Sequence, residues 1–282
     1  MKKGLIMEGG AMRGMFTCGV TDVMMEQGIT FDGAVGVSAG AVFGCNYKSG
    51  QIGRGIRYNK RFCADKRYCG MESLLKTGDY YNREFCYHEV PLKYDLFDFD
   101  TYDSNPMEFY VVCTDIETGK PLYHKHIAGE DPDFAYLRAS ASMPLVSNIV
   151  EVDGLKLLDG GISDSIPVQF MMDAGFDRNV AILTQPASYT KKKNEMMPLI
   201  KLKYRKYPNL IRLMENRHEA YNKTLALVTH LERQGKLFVI RPDRKLPVSR
   251  TEKDPDRLQE AYDLGRAVAH RQMEALKAFL DK

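Results

Sequence analysis

The first fifty residues alternate strand, helix, strand, helix, an order that leaves few folds open. Residues 3–7 form a short apolar run closed by the Glu8-Gly9-Gly10 turn. Over residues 12–27, Phe16, Val20, Val23 and Met24 recur at helical spacing, and Gly28 stops the pattern. Residues 29–37 predict a second strand and residues 39–47 a second helix. Two such βα units in succession predict an α/β fold with a parallel sheet and crossover connections.

Further strands are expected over residues 109–114 and 122–126, paired across the Glu117-Thr118-Gly119-Lys120 turn. A hairpin is expected from residues 149–152 and 156–158 flanking Asp153-Gly154. A helix should begin at Pro167, followed by a strand over residues 179–183. Residues 50–105, rich in tyrosine and charge, show no clean period. Near the end, Leu258, Tyr262, Ala269, Met273, Leu276 and Leu280 share one helical face, predicting a packed amphipathic helix. The character changes after Pro186, so residues 1–186 read as the main domain and 187–282 as a mainly helical segment packed on it.

The net charge of +3 argues against a nucleic-acid binder. No apolar stretch approaches the ~20 residues that span a bilayer, and Glu8 cuts short any signal-peptide core, so a cytoplasmic location is expected. The six cysteines form no Cys-x-x-Cys pair, which points to buried free thiols. His124 and His126 share one face of a strand, but no third ligand lies nearby in sequence. A solvated sheet face is therefore expected there rather than a metal site. No cofactor is expected.

Three short motifs carry chemistry. Gly36-Val37-Ser38-Ala39-Gly40 is a Gly-x-Ser-x-Gly between a strand and a helix. A sharp turn there holds the serine hydroxyl clear of the chain at a helix N-terminus, while Gly36 and Gly40 let strand and helix approach. Glu8-Gly9-Gly10-Ala11-Met12-Arg13-Gly14 joins the first strand to the first helix, where unpaired backbone N–H groups can hold phosphate or an oxyanion. A dinucleotide site would need a glycine at position 11 and an acidic residue ending the second strand; Ala11 and Ser38 stand there instead. The third motif, Asp159-Gly160-Gly161, is by itself only a turn signal.

Together, in this order and spacing, the three motifs resemble the patatin-like lipid acyl hydrolases, and the resemblance runs over about residues 3–186. Ala139-Ser140-Ala141-Ser142-Met143-Pro144 is similar to that family's Ala-Ser-x-x-x-Pro element. The resemblance implies a three-layer patatin-like fold, with a mostly parallel central sheet flanked by helices. It places Gly9, Gly10, Ala11, Met12, Arg13 and Gly14 on the oxyanion loop, Ser38 on the nucleophile and Asp159 on the acid of a Ser–Asp dyad. Ala11 departs from the family's usual third glycine.

A serine hydroxyl needs a base, and an ordinary Asp, with a pKa of about 3.9, is a weak one. Burial of the carboxylate and a strong oxyanion hole would compensate. Backbone N–H groups from Gly10 to Met12, with that of Ala39, are the expected donors. Two rivals stand beside this reading. An α/β-hydrolase triad would run Ser38, Asp159 and then His218, His230 or His270, but only one βα unit precedes Ser38. A lipid-binding protein without turnover is the other, and Ala11 is its support. The expected partner is a lipid acyl ester, of phospholipid or lysophospholipid type. Residues 191–217 carry nine Lys/Arg against two Glu. That stretch is either a solvated charged surface or a contact with anionic membrane, with Tyr204, Tyr207, Leu210, Ile211 and Met214 at the interface.

Overall fold

The computed structural model describes residues 1–131 and 134–281. The chain begins with β1 (Lys2–Met7), a 3₁₀ turn at Ala11–Arg13, α1 (Gly14–Glu26), β2 (Gly33–Val37) and α2 (Ala39–Lys48). The stretch without a clean period contains α3 (Arg54–Phe62), α4 (Met71–Thr77), a π-helical segment (Phe85–Tyr94) and α5 (Phe99–Ser104). Then come β3 (Glu108–Asp115), β4 (Pro121–Lys125), α6 (Ala135–Ser140), β5 (Val150–Val152), β6 (Leu155–Asp159), α7 (Val168–Asp173) and β7 (Phe176–Ile182). The chain closes with α8 (Met197–Lys203), α9 (Pro208–Arg233), β8 (Leu237–Ile240) and α10 (Pro255–Leu280).

The sheet runs β5-β6-β3-β2-β1-β7-β8, with β4 also pairing β3. The neighbours from β3 through β8 are parallel, and the pairs made by β4, β5 and β6 are antiparallel. Strand alternation divides the core into two faces. Leu5, Met7, Ala34, Phe109, Val111 and Val180 pack with α1, α2 and α10 on one face. Ile6, Val35, Val37, Val112 and Ala181 pack with α7 and the second half of α9 on the other. Three layers result, with the mostly parallel sheet between two helical layers. Gly19 and Gly265 let α1 and α10 meet backbone to backbone: a Cβ on either would stand 2.1 Å from a carbonyl oxygen of the other helix. The expected apolar face of α10 is buried at all six positions.

Three sequence expectations change. The second strand begins at Gly33, because Ile29 and its neighbours form the turn that follows α1. Tyr204, Leu210 and Met214 are not interfacial; with Ile116, Leu158 and Ile200 they make a small core under α8 and the start of α9. His126 is not on a solvated sheet face either. It is buried beneath α5 and α6, with Nδ1 3.0 Å from the Tyr102 hydroxyl and Nε2 3.4 Å from Asp131. His124 stacks on Tyr136. The six cysteines are free, and all but Cys86 are buried. No helix among the described residues is long and apolar enough to cross a membrane.

Candidate active site

The register of β3 brings Ser38 and Asp159 together. One edge of β3 pairs with β2 as far as Val112, opposite Val37. β4 occupies the other edge, so β6 takes the β2 edge where β2 has ended, with Asp159 opposite Cys113. The last residue of β2 and the last residue of β6 thus face successive residues of one strand. Ser38 and Asp159 follow as near neighbours at the sheet's interior, although 121 positions separate them in sequence.

Ser38 holds φ 55° and ψ −122°, a conformation costly for any residue with a Cβ. Its surroundings hold it there. The Ser38 amide donates to Ser140 Oγ at 2.8 Å, and that hydroxyl donates to the Val112 carbonyl at 2.6 Å. A Cβ on Gly40 would fall 2.2 Å from the Met7 carbonyl oxygen, so only glycine lets α2 start this close to β1. Gly36 lies in similar contact with Ala41. The Ser38 carbonyl accepts the Ala41 and Val42 amides, while those of Ala39 and Gly40 donate to no group among the described residues.

Asp159 is 1% exposed. Its Oδ1 accepts the Gly161 amide at 2.7 Å, while its buried Oδ2 completes no hydrogen bond among the described residues. The Asp159 amide donates to the Ser142 carbonyl, and its own carbonyl accepts the Thr114 hydroxyl. Burial pushes its pKa above the ordinary carboxylate range; nearby Arg217, the adjacent Ser38 hydroxyl, the Gly161 amide and Arg250 oppose that rise. Ser38 is therefore near enough to be felt electrostatically, although Asp159 Oδ2 completes no hydrogen bond with it.

The glycine-rich loop wraps the same point. Gly9 lies against the Ser38 side chain and Gly10 against Thr184. Ala11 adopts φ 50°, the left-handed conformation that glycine would accept without strain. The Gly10 and Ala11 amides donate to no group among the described residues. The Met12 amide points to the Arg250 carbonyl at 3.5 Å, and the Arg13 amide donates back to Gly10 at 3.2 Å. Gly14 opens α1 against Phe43. Glu8, only 3% exposed, anchors the loop: its carboxylate accepts from the Tyr221 hydroxyl at 2.5 Å and the Thr184 amide at 2.6 Å.

Ser38 and Ala11 border two cavities. The larger, about 510 Å³, is walled by apolar and aromatic side chains, among them Val42, Phe43, Tyr58, Tyr81, Val90 and Leu137. That volume lies in the range of sites that enclose a small-molecule ligand. The smaller, about 70 Å³, is lined in part by charged side chains, among them Glu8, Asp159, Arg13, Lys191, Arg217 and Arg250. Among the described residues no histidine lines either one. His218 and His230 lie on α9 and His270 on α10. No group of three or more His, Cys, Asp or Glu among the described residues could hold a metal ion.

Sequence reasoning missed Ser140 as the brace of Ser38, although the motif containing it was visible. It also missed Glu8 as the anchor of the loop and the basic side chains that reach the site from residues 191–250. No local pattern marks those last residues.

The model of the patatin-like phospholipases matches residues 5–172, more than half of the chain and all three motifs. The chain belongs to the patatin-like phospholipase family. Membership implies a hydrolase acting on lipid acyl esters. Residues 207–281 match a second model, a domain of unknown function called DUF6363. Protein YjjU of Escherichia coli is 27% identical over 278 residues, covering 93% of this chain and 74% of that protein. Lysophospholipase nte1 of Aspergillus fumigatus is 28% identical over 185 residues, covering 62% of this chain, which spans only 11% of that enzyme's length. The patatin-like phospholipase domain-containing protein ZK370.4 of Caenorhabditis elegans is 28% identical, over 61% of this chain and 13% of its own length. Among solved structures, VipD from Legionella pneumophila superposes with a TM-score of 0.45 at 13% identity, covering 96% of this chain and 67% of that one.

Proposed function

We propose that this protein hydrolyses acyl esters of lipids, as a phospholipase A or lysophospholipase, through a dyad of Ser38 and Asp159. The observation that carries the reading is the β3 register. It sets a strained, outward-held serine beside a buried carboxylate at the junction of an apolar cavity and a loop with open N–H groups.

In this reading the acyl chain lies in the larger cavity and its carbonyl meets Ser38. Asp159 accepts the hydroxyl proton as Ser38 Oγ bonds to the carbonyl carbon. The Gly10 and Ala11 amides, with that of Ala39, take the charge forming on the carbonyl oxygen. Collapse expels the alcohol, which leaves with the proton from Asp159. Water then gives its proton to Asp159 and its oxygen to the acyl carbon, releasing fatty acid and restoring Ser38. Burial favours this use of a carboxylate, because it raises basicity without adding a third residue.

The test is fluorophosphonate labelling together with product analysis on a lipid panel. Wild type should be labelled and should release fatty acid; Ser38→Ala should do neither. Single Ala variants of His218, His230 and His270 should keep most activity. A loss of several orders of magnitude in any one of them would establish a triad instead.

We also propose peripheral contact with anionic membrane. Met71 on α4 and Met196 before α8 line the larger cavity and are both exposed. Leu75, Leu199 and Leu202 on the same two helices are at least half exposed as well. Lys201 and Lys203 stand among them on α8, so apolar contact and positive charge coincide near the entrance.

A further inference from the structure

We propose that the smaller chamber binds the phosphate on the alcohol side of the scissile ester, through Arg13, Lys191, Arg217 and Arg250. The proposal rests on the reading of Ser38 as nucleophile and names the substrate that reading leaves open. A lysophosphatidic acid, whose phosphate is unshielded by a larger headgroup and whose alcohol side carries no second acyl chain, fits it.

Four cationic side chains line a space of about 70 Å³, against two acids, Glu8 and Asp159. Glu8 is already engaged by Tyr221 and Thr184. None of the four cations makes a salt bridge among the described residues. Arg13 Nε is buried without a hydrogen-bond partner among them. Arg217 spends one donor, its Nε, on the Gly161 carbonyl. Arg250 is exposed, but Arg13, Lys191 and Arg217 are part-buried, and cations drawn into a protein are ordinarily paired, so their convergence disfavours the fold unless an anion joins it.

Lys191 shows the crowding most clearly. Its backbone is clamped to α9 by reciprocal bonds with the Asn222 side chain, and its ammonium sits 4.2 Å from the centre of the Tyr221 ring. Burial, then the neighbouring Arg217, push its pKa down to about 7; Glu8 opposes this, while Arg250 and Arg13 add to it. A phosphate brings up to two negative charges and three acceptor oxygens, which suit several cations converging from different elements.

Position supplies the rest. Ser38, Ala11, Met143 and Arg250 border both cavities, so an ester held at Ser38 has its acyl chain on one side and its alcohol on the other. The 70 Å³ chamber holds a few heavy atoms rather than a second acyl chain. Lys191, Arg217 and Arg250 lie outside the residues matched by the family model, so this recognition comes from the C-terminal part of the chain.

The experiment compares 1-acyl lysophosphatidic acid with the monoacylglycerol of the same acyl chain, using the full chain as wild type, Lys191→Met, Arg250→Gln and the double variant. Wild type should favour the phosphate lipid in kcat/KM by about tenfold or more, the worth of one charged hydrogen bond. The double variant should lose most of that ratio, chiefly through KM. Inorganic phosphate should raise the melting temperature of wild type and of Ser38→Ala, and much less that of the double variant. Without phosphate, Lys191→Met should melt higher than wild type, because it relieves repulsion; a merely structural lysine would give the opposite sign. An equal ratio in wild type and double variant overturns the proposal. Equal kcat/KM on the two lipids, with inorganic phosphate still stabilising the protein, would assign the chamber to free phosphate and overturn the headgroup assignment. Should Ser38 prove unreactive, the melting-temperature arm still decides whether the chamber binds phosphate, separately from the hydrolase reading.

Discussion

Ala11→Gly should stabilise this protein, and the size of the effect follows from one dihedral angle. Ala11 holds φ 50°, where an L-residue with a Cβ carries about 1–2 kcal/mol of strain. Glycine removes that strain but gives the unfolded chain more freedom, at a cost of about 0.4–1 kcal/mol. The balance favours Ala11→Gly by about 0.5–1 kcal/mol, a rise in melting temperature of about 1–4 °C for a chain of this size. Ester turnover should be equal or slightly higher, because the Gly10 and Ala11 amides keep their direction. Ala11→Val makes the opposite case. A β-branched residue resists the left-handed region more strongly, so the loop must shift and carry its N–H groups with it. Misdirecting one oxyanion donor costs on the order of 10²–10³ in kcat. Differential scanning calorimetry and steady-state kinetics on a soluble ester read both effects. A lower melting temperature for Ala11→Gly would refute the strain argument, and an unchanged kcat for Ala11→Val would place the oxyanion donors elsewhere.

Three further outcomes are expected. Asp159→Asn should abolish turnover yet raise stability at neutral pH, as followed by thermal unfolding. Its pKa is raised in the folded state, so the carboxylate favours folding only while protonated and loses that advantage as pH climbs through the folded pKa. The stabilisation by Asn should therefore nearly vanish at about pH 3, and a destabilised variant at neutral pH would contradict this account. Arg217→Gln removes the strongest influence opposing that rise, so the acid limb of kcat/KM should move to higher pH; an unmoved limb would mean that Asp159 is not the base. Vesicle co-sedimentation should show binding to anionic but not neutral bilayers. Salt should weaken it, as should replacing Lys201, Lys203, Arg205 and Lys206 with Gln, by roughly 1 kcal/mol per charge. Equal sedimentation of the Gln variant would show the stretch to be only a charged surface.

Much of the fold was legible because its signals are local. The βα units of the first fifty residues, the Asp153-Gly154 hairpin and the apolar face of α10 each depend on neighbours within a few positions. The stretch from Gly50 to Asn105 was illegible for a physical reason. Tyr58, Tyr68, Tyr80, Tyr81, Tyr87 and Val90 line a cavity as well as packing on the core, so no apolar stripe of constant width develops. Tyr204, Leu210 and Met214 were misjudged because an apolar face between lysines fits a membrane surface and a small core equally well in sequence; contact with Ile116, Leu158 and Ile200 decided for the core.

By itself the amino-acid sequence determined the βα order of the first fifty residues, the Asp153-Gly154 hairpin and the last helix, the turn chemistry at Gly36–Gly40 and Glu8–Gly14, and the residue types available to a site. Those are properties of backbone sterics and periodicity, written within a dozen residues. Only the tertiary structure decided that Ser38 and Asp159 adjoin, because that depends on which edge of β3 receives β6 and where β2 ends. It alone decided that Lys191, Arg217 and Arg250 converge with Arg13 on one chamber, since long-range burial and electrostatics couple residues with no shared period. Local geometry can be read along the chain, but charge and cavity exist only once distant segments have packed.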